Sequence, residues 1–162
     1  MEIKIRRMIS EDKEAIKSIL LRCDVFNQVE INCALELIDI YLNNLHQKDY
    51  FIASALNDSE EILGYACYGK SPLTDSVYDI YWLVVKPEYQ RYGIGKRLLK
   101  YVEDEIIKLT GRMLLAETSS RAVYEKARRF YLKNGFTKEA RVKDFYSTGD
   151  DKIIYKKIFS LP

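Results

Sequence analysis

Hydrophobic residues recur along this chain with two different periods, which mark out its predicted strands and helices. A period of two with β-branched and aromatic residues is typical of strands. The stretches that show it are residues 2–8, 50–56, 62–70, 76–86, 112–120, 136–146 and 152–159. A period of three to four residues is typical of an amphipathic helix. It occurs in residues 10–23, 30–45, 94–109 and 122–135.

Within the predicted helices, the apolar positions fall on one face. The first helix follows Ser10, a residue type that favours a helix N-cap, and groups Ala15, Ile16, Ile19 and Leu20. The second groups Ala34, Leu35, Ile38 and Leu42, and the third groups Ile94, Leu98, Val102, Ile106 and Leu109. The fourth is expected to stop at Gly135, because glycine accepts the left-handed conformation that follows many helices.

The predicted elements run in the order β-α-α-β-β-β-α-β-α-β-β. Strand, helix and strand within residues 76–119 predict one parallel pair, since a crossover helix joins parallel neighbours. Short turns join most of the other strands and predict antiparallel pairing. The expected fold class is therefore α/β, with a mixed, mostly antiparallel central sheet flanked by helices. We expect residues 1–162 to form one domain, because this length suits a single hydrophobic core.

Composition and charge narrow the classes of function. The 26 basic and 24 acidic residues leave a net charge of +2, which indicates neither a nucleic-acid partner nor an anionic membrane surface. The three cysteines lack metal-ligand spacing and His46 is the only histidine, so we expect no metal site. No apolar stretch approaches membrane-spanning length. We therefore expect a soluble, cytoplasmic protein with no nucleic-acid or membrane partner.

Two glycines, Gly93 and Gly95, stand between a predicted strand and a predicted helix. A glycine-bearing turn at a helix N-terminus exposes backbone N–H groups at the positive end of the helix dipole, so this junction is a candidate anion site. A phosphate or diphosphate is the expected ligand. The glycine spacing by itself also fits a plain tight turn.

Two common phosphate-binding motifs do not fit this junction. A Walker A loop would need glycine at position 90 and a hydroxyl residue at position 97, where the chain has Gln90 and Arg97. A dinucleotide fingerprint would need glycine at position 98, where the chain has Leu98. The pattern present is Q/R-x-x-G-x-G/A, spelled QRYGIG at residues 90–95. It resembles the coenzyme A diphosphate loop of the GNAT N-acetyltransferase superfamily.

A second motif lies one predicted strand further along. Residues 127–136, ARRFYLKNGF, are similar to the A-x-x-F/L-Y-x-x-x-G-F motif of the same superfamily. The element order also matches, so the resemblance covers nearly the whole chain. It implies the single-domain GNAT fold and an acetyl-CoA-dependent N-acetyltransferase. Two positions depart from the family, since many members have glycine in place of Arg91 and asparagine in place of Tyr124.

The resemblance also implies which residues bind acetyl-CoA, the expected co-substrate. In the family, the end of the central strand pairs its backbone with the pantetheine arm, and the loop amides receive the diphosphate. The predicted cofactor-binding residues are Leu83, Val84, Val85, Gln90, Arg91, Tyr92, Gly93, Ile94, Gly95, Lys96 and Tyr124. Lys96 and Arg97 would add positive charge near the phosphates, although such cations also fit a solvated helix face.

Transfer of an acetyl group from a thioester to an amine requires proton movements at both ends. A free alkyl amine has a pKa of about 10 and arrives charged, so it must lose a proton, while the departing thiolate must gain one. Asp79 stands where the family often carries a glutamate and is the predicted base; it shares a strand face with Tyr81, Leu83 and Val85 if no bulge intervenes. Tyr131 of the second motif is the predicted acid, since a phenol stays protonated at neutral pH.

Without the resemblance, Asp79 could equally be a strand residue whose carboxylate accepts hydrogen bonds from the backbone. Tyr131 could equally be a tyrosine packed in the hydrophobic core, since it lies on the apolar face of its helix. Direct attack in a ternary complex is the expected mechanism, on an amine-bearing small molecule or peptide, and a homodimer is compatible with it. Side chains suited to a cationic amine are Asp75, Asp79, Asp144, Asp150, Asp151, Tyr78, Tyr81 and Tyr146. The alternative is a non-catalytic acyl-CoA-binding or protein-interaction module on the same fold, which would need neither a base nor an acid.

Overall fold

The computed structural model describes residues 1–160 and contains the predicted elements in the predicted order. The strands are β1 (Lys4–Arg7), β2 (Phe51–Leu56), β3 (Ile62–Lys70), β4 (Val77–Val85), β5 (Met113–Ser119), β6 (Thr137–Ser147) and β7 (Asp150–Ile158). The helices are α1 (Lys13–Arg22), α2 (Gln28–Asn43), α3 (Ile94–Lys108) and α4 (Glu125–Lys133). Within residues 1–160, no helix has the length and apolar character that crossing a membrane requires.

The seven strands form one sheet in the order β1-β2-β3-β4-β5-β7-β6. β4 and β5 are parallel, with Val77 opposite Met113 and Ile80 opposite Ala116, as expected for strands joined by the crossover helix α3. The pairs β1–β2, β2–β3, β5–β7 and β6–β7 are antiparallel. The predicted α/β class with a mixed, mostly antiparallel sheet is confirmed.

The chain divides into two compact units. The first comprises Met1–Gly69 and Tyr81–Glu105, and the second comprises Lys70–Ile80 and residues 106–160. The core of the first unit takes side chains from α1, α2 and the strands beneath them, among them Ile16, Leu20, Ile38, Ile52, Leu56 and Tyr65. Burial of each such apolar side chain contributes roughly 1.5–3 kcal/mol, so the helical faces read from the sequence supply much of this core.

The core of the second unit lies under α4. The ring of Tyr131 contacts Phe136 at a centroid distance of 5.1 Å and Tyr155 at 6.1 Å. α4 stops before Gly135, which has φ +88, so the predicted glycine stop is confirmed. The left-handed glycine turns the chain back toward the helix, and this return places Phe136 against Tyr131.

Two helix ends differ from the prediction. Ser10 does not cap α1 but begins a short 3-10 turn, Ser10–Asp12, and no side chain caps the start of α1. The carboxylate of Asp12 instead accepts the N–H of Ile9, at the start of that turn, at 3.2 Å. Leu109 lies beyond the end of α3 and is 52% exposed, because the chain leaves the helix through left-handed Thr110 (φ 59).

Candidate functional site

The loop between β4 and α3 contains two left-handed residues, Arg91 with φ 74 and Gly93 with φ 77. The helix opens with a hydrogen bond from the N–H of Arg97 to the carbonyl of Gly93 at 3.1 Å. The N–H groups of residues 94–96 precede that bond and, as at any helix N-terminus, find no acceptor inside the helix. The backbone therefore has the geometry that binds anions at helix N-termini.

Gly93 borders open space. No atom of the described residues outside its immediate chain neighbours lies within 4 Å of the position that a Cβ would occupy. Glycine is therefore favoured here by the backbone conformation and not by crowding. The missing side chain also leaves room for a ligand to approach the amides at the start of α3.

Side chains fix the first part of this loop. The carboxylate of Glu61 forms an ion pair with Lys86 and accepts the hydroxyl of Tyr89 at 3.1 Å. The side-chain amide of Gln90 donates to the carbonyl of Val85 at 3.5 Å, a long hydrogen bond. The turn that precedes the glycines is thus attached to Glu61, which immediately precedes β3, and to β4, so its backbone is positioned before any ligand arrives.

The predicted cofactor-binding residues differ in what they can offer a ligand. The side chains of Val84 and Ile94 are buried in the core, so only their backbone is available. Arg91 is exposed, and Tyr92 is 64% exposed. Lys96 is also exposed and lines a cavity of about 370 Å³, together with Ile3, Ile5, Arg97 and Lys100.

The side chains of β4 do not alternate strictly near its middle. The ring of Tyr81 packs on Tyr50 at 5.6 Å, and that of Trp82 packs on Phe26 at 5.3 Å. Tyr50 and Phe26 both border the core of the first unit, so two successive residues point to one side. A β-bulge produces this geometry. The common face expected for alternate residues from 79 to 85 therefore does not continue past Tyr81.

Asp79 lies half-buried in β4, opposite Leu115 of β5. The hydroxyl of Ser71 donates a hydrogen bond to one carboxylate oxygen of Asp79. The pKa of Asp79 lies above its usual value, mainly because the side chain is buried. The hydrogen bond from Ser71 lowers this pKa. The negative charge of Glu117 raises it, and the positive charge of Lys152 lowers it. A raised pKa makes the carboxylate a better proton acceptor, which suits a general base.

Tyr131 is 8% exposed, and its ring is enclosed by aromatic neighbours. Burial raises the pKa of its phenol above the usual range, so the hydroxyl keeps its proton at neutral pH. Among residues 1–160, that hydroxyl has no hydrogen-bond partner. A protonated donor with no internal acceptor has the properties that a general acid requires.

Asp79 and Tyr131 lie on opposite faces of the sheet in the second unit. Asp79 is opposite Leu115, whereas Tyr131 stacks on Tyr155, which is opposite Ala116. Because successive strand residues point to opposite faces, Leu115 and Ala116 mark the two sides. Asp79 and Tyr131 therefore cannot exchange a proton directly, and any chemistry must use them on different groups.

Tyr124 ends a 3-10 turn, Ala122–Tyr124, immediately before α4. The guanidinium of Arg121 lies 5.4 Å from the centroid of its ring. This contact orients the phenyl ring through a cation–π interaction. The role expected for Tyr124 in cofactor binding stays a prediction.

Two of the candidate acceptor carboxylates have structural roles in the β6–β7 hairpin. Asp150 and Asp151 are buried. Asp150 accepts the hydroxyl of Ser119, while Asp151 pairs with Arg141 and accepts the N–H of Asp144 at 2.9 Å. These bonds attach the hairpin to β5 and occupy carboxylate oxygens that an amine would otherwise use.

Sequence reasoning missed three residues around Asp79, namely Ser71, Glu117 and Lys152. They come from the β3–β4 connection, β5 and β7, and no local spacing in the sequence relates them to Asp79. Only the strand register brings them together. Among residues 1–160, no group of three or more histidine, cysteine or acidic residues could hold a metal ion.

Comparison with known proteins identifies the family to which this chain belongs. Residues 47–138 match a family model described as "Acetyltransferase (GNAT) domain". A GNAT-family protein from Desulfovibrio desulfuricans is 37% identical, with a TM-score of 0.92 over 97% of this chain and 99% of that chain. Among proteins of curated function, none matches this sequence.

More distant solved structures share the fold. Ribosomal-protein-S18-alanine N-acetyltransferase from Escherichia coli is 20% identical, with a TM-score of 0.77 over 99% of this chain and 96% of that chain. PaiA N-acetyltransferase from Thermoplasma acidophilum, in complex with coenzyme A, is 23% identical, with a TM-score of 0.74 over 98% of this chain and 100% of that chain. At these identities the likeness concerns the fold alone.

Proposed function

The chain belongs to the GNAT acetyltransferase family, and we propose that it transfers an acetyl group from acetyl-CoA to a primary amine. The observation that carries the proposal is the start of α3, where left-handed Gly93 leaves the first helical amides open. A diphosphate matches such amides in charge and in hydrogen-bonding capacity. Coenzyme A in the related PaiA structure supports the same ligand.

The residues of the loop fit a coenzyme A substrate. The N–H groups of residues 93–96 would receive the diphosphate, and the side chains of Arg91 and Lys96 would add positive charge. The backbone of Leu83–Val85 would pair with the pantetheine arm, and Tyr124 would contact the cofactor from the start of α4. When bound, acetyl-CoA supplies the activated thioester. We treat residues 1–162 as one N-acetyltransferase domain, without a nucleic-acid or membrane partner.

Asp79 would take one proton from the attacking amine, directly or through a water, and the second proton that the nitrogen loses as it becomes an amide would pass to solvent. Its raised pKa improves proton uptake, and the Ser71 bond holds one of its oxygens in place. An aspartate side chain is shorter than that of the glutamate common in the family. A water molecule between the Asp79 carboxylate and the amine would make up the difference in reach. Attack would be direct, in a ternary complex, with no covalent intermediate on the protein.

Tyr131 would donate its proton to the departing sulfur. The buried phenol is protonated at neutral pH, and its position on the sheet face opposite Asp79 separates proton delivery from proton removal. The acceptor is an amine-bearing small molecule or peptide. An amine of this kind is cationic in water, which favours carboxylates and aromatic rings along its route.

A free-thiol assay tests the activity. Purified protein is mixed with acetyl-CoA and, in turn, with amino acids, polyamines, aminoglycosides and peptides that carry a free N-terminus. We expect thiol release that depends on both the protein and one amine class, with a product heavier by one acetyl group. Binding of coenzyme A in calorimetry with no turnover on any amine would instead favour the non-catalytic binding module.

A glycine pair tests the binding loop with a matched control. Gly93 and Gly149 both have left-handed φ, 77 and 82, and neither has an atom within 4 Å of a Cβ position. Gly93→Ala and Gly149→Ala should therefore each cost about 1 kcal/mol of stability. Only Gly93→Ala should weaken coenzyme A binding, by roughly tenfold, equivalent to 1.4 kcal/mol. Equal affinity in both variants would remove the loop from the binding site.

A further inference from the structure

One face of the sheet in the second unit carries three charged side chains near one another. Asp79 lies opposite Leu115 in the parallel β4–β5 pair. Glu117 is two residues after Leu115 in β5, and alternate strand residues project from the same face, so Glu117 lies on the face of Asp79. Ser119 is two residues after Glu117 and therefore on this face as well. Lys152 of β7 is opposite Ser119, so the side chain of Lys152 also projects from this face. Diagonal neighbours on a sheet lie about 7–8 Å apart, within reach of long side chains.

The ammonium group of Lys152 is held in one place. It lies 2.8 Å from a carboxylate oxygen of Glu117 and 3.9 Å from the centroid of the Phe145 ring. The Lys152 side chain is only 16% exposed. A lysine on an open surface samples many rotamers, whereas a carboxylate and an aromatic ring on two different strands restrict this one. Its charge is therefore a fixed part of the surroundings of Asp79.

Three groups act on the Asp79 carboxylate besides its burial. Ser71, from the β3–β4 connection, donates a hydrogen bond to it. Glu117, from β5, repels its negative charge, and Lys152, from β7, attracts it. Each of these groups comes from a different segment of the chain. Ser71 and Lys152 both favour the ionised carboxylate, and Lys152 is the positive charge among the three groups.

We propose that Lys152 is a positioning residue for the acetyl-transfer reaction, acting through Asp79 by favouring the ionised form of its carboxylate. This inference rests on the proposed function and on the role of Asp79 as the base. Lys152 does not touch the substrate in this scheme. Its partner Glu117 has the opposite effect, so the two side chains shift the pH at which Asp79 accepts a proton in opposite directions.

The pH dependence of kcat/KM tests the proposal through two substitutions of opposite sign. An acid limb reports the pKa of the base in the free enzyme. Lys152→Met removes an attractive charge and should move that limb upward by roughly one pH unit. Glu117→Gln removes a repulsive charge, leaves Lys152 in place and should move the limb downward. Lys152→Arg keeps the charge and should restore the wild-type position.

Lys156→Met is the matched control. Lys156 is on the same strand and the same face, is 24% exposed and pairs with Glu139 at 2.6 Å. Its removal should cost similar packing while leaving the acid limb within roughly 0.3 pH unit, because its partner is on β6, on the side away from Asp79. An equal shift in Lys156→Met and Lys152→Met would show a general charge effect and would overturn the proposal.

Titration of the Asp79 carboxyl by carbon-detected NMR gives a readout that does not depend on activity. Lys152→Met should move the Asp79 titration in the same direction as the acid limb. If neither the NMR titration nor the acid limb moves, the proposal is wrong. If the titration moves and the acid limb does not, Lys152 affects a carboxyl that is not the base. That result would overturn the role of Lys152 in the reaction but leave the proposed acetyl transfer intact. If the wild-type protein acetylates no amine, the proposed function fails, and the role of Lys152 in the reaction fails with it.

Discussion

Arg91 occupies a backbone conformation that most side chains avoid. Its φ of 74 lies in the left-handed region, and it stands where many members of the family have glycine. The sequence comparison indicates a departure at this position, and the structure shows its consequence: the backbone keeps the glycine-like geometry despite the side chain. A non-glycine residue held there costs about 1–2 kcal/mol. The exposed guanidinium beside the candidate anion site would offset this cost when an anion binds.

Two substitutions at this position separate backbone strain from charge. Arg91→Ala and Arg91→Gly both remove the guanidinium, but only glycine relieves the left-handed strain. We expect Arg91→Gly to be more stable than Arg91→Ala by about 1 kcal/mol, the reverse of the usual order at a helical position. Urea unfolding measures the difference. If Arg91→Ala proved more stable than Arg91→Gly, the backbone at Arg91 would not be strained.

The phenol of Tyr131 gives a second prediction at this scale. Tyr131→Phe should lower kcat roughly 10²-fold, because positioned acids typically contribute 10²–10⁴-fold. Its affinity for coenzyme A should stay within roughly twofold, since the ring itself is unchanged. Tyr155→Phe, in the ring stacked on Tyr131, is the control and should retain wild-type kcat. Full activity in Tyr131→Phe would remove it from the mechanism.

Single residues of the site were predictable only where a local motif carries them. The spacing of Gly93 predicts the loop, because a helix N-terminus and its turn are contiguous in the chain. Lys152 and Glu117 are 73 and 38 residues beyond Asp79, and nothing in the segments between them specifies that they meet. Their placement follows from strand register, which a single sequence does not reveal.

At the scale of elements, helix α2 begins earlier than its apolar pattern indicates. The pattern starts at Glu30, whereas the helix starts at Gln28 after Asn27. Asn27 accepts the N–H of Glu30 at 2.9 Å, and the Glu30 carboxylate accepts the N–H of Asn27 at 2.8 Å. This reciprocal capping box is visible in the sequence as N-x-x-E. Caps of this kind define helix starts better than hydrophobic periodicity does.

The cap yields a prediction for stability. Asn27→Ala should cost about 1 kcal/mol, since it leaves an N–H at the helix start without its acceptor. Gln28→Ala removes only an exposed bond to Asn32 and should change stability by no more than about 0.5 kcal/mol. The fluorescence of Trp82, the only tryptophan, reports unfolding, because its ring packs on Phe26 beside the cap. Equal losses in both variants would contradict the capping role.

Strand β4 shows the limit of element-level pattern reading. Its ends and its length follow from the apolar run that precedes Pro87. The break in alternation between Tyr81 and Trp82 does not, since both residues suit either side of a sheet. No residue type in this apolar run marks the position of a bulge. The packing of the Tyr81 and Trp82 rings against their neighbours determines where the alternation breaks.

At the scale of the whole molecule, the sheet order could not be read from the chain. The sequence indicates one parallel pair, but the insertion of β7 between β5 and β6 depends on pairing between distant segments. Local pattern therefore predicts the elements and their class, while long-range pairing determines which strands are neighbours. The family resemblance supplies the missing information for the fold. It does not supply the charges around Asp79.

Acid unfolding is the prediction at this scale, and it involves the buried carboxylate of Asp12. Burial opposes its ionisation, but hydrogen bonds from Arg6 and Ser54 outweigh burial and lower the pKa of Asp12. A lowered pKa contributes stability that is present above the unfolded value of about 3.9 and is lost as pH falls through the folded value. The wild-type protein should therefore lose stability below about pH 4.

Asp12→Asn tests this source of stability. It should lower the free energy of unfolding at pH 7 by about 3 kcal/mol, because Arg6 loses its buried partner, and it should flatten the dependence on pH below 4. Asp39→Asn, in the half-exposed pair with Lys13, should cost no more than about 1 kcal/mol. Urea unfolding followed by Trp82 fluorescence at several pH values checks both. An unchanged acid slope in Asp12→Asn would assign the loss to other carboxyls.

The placement of Asp79 and Tyr131 on opposite faces of one sheet has a consequence for turnover. Every cycle would leave Asp79 carrying an extra proton and Tyr131 lacking one. Because the two side chains lie on different faces of the sheet, Asp79 cannot pass its proton directly to Tyr131, and each group would exchange protons with water on its own side. Substitutions that alter the choice of amine would then fall on the Asp79 side, separate from the group that protonates the departing thiol.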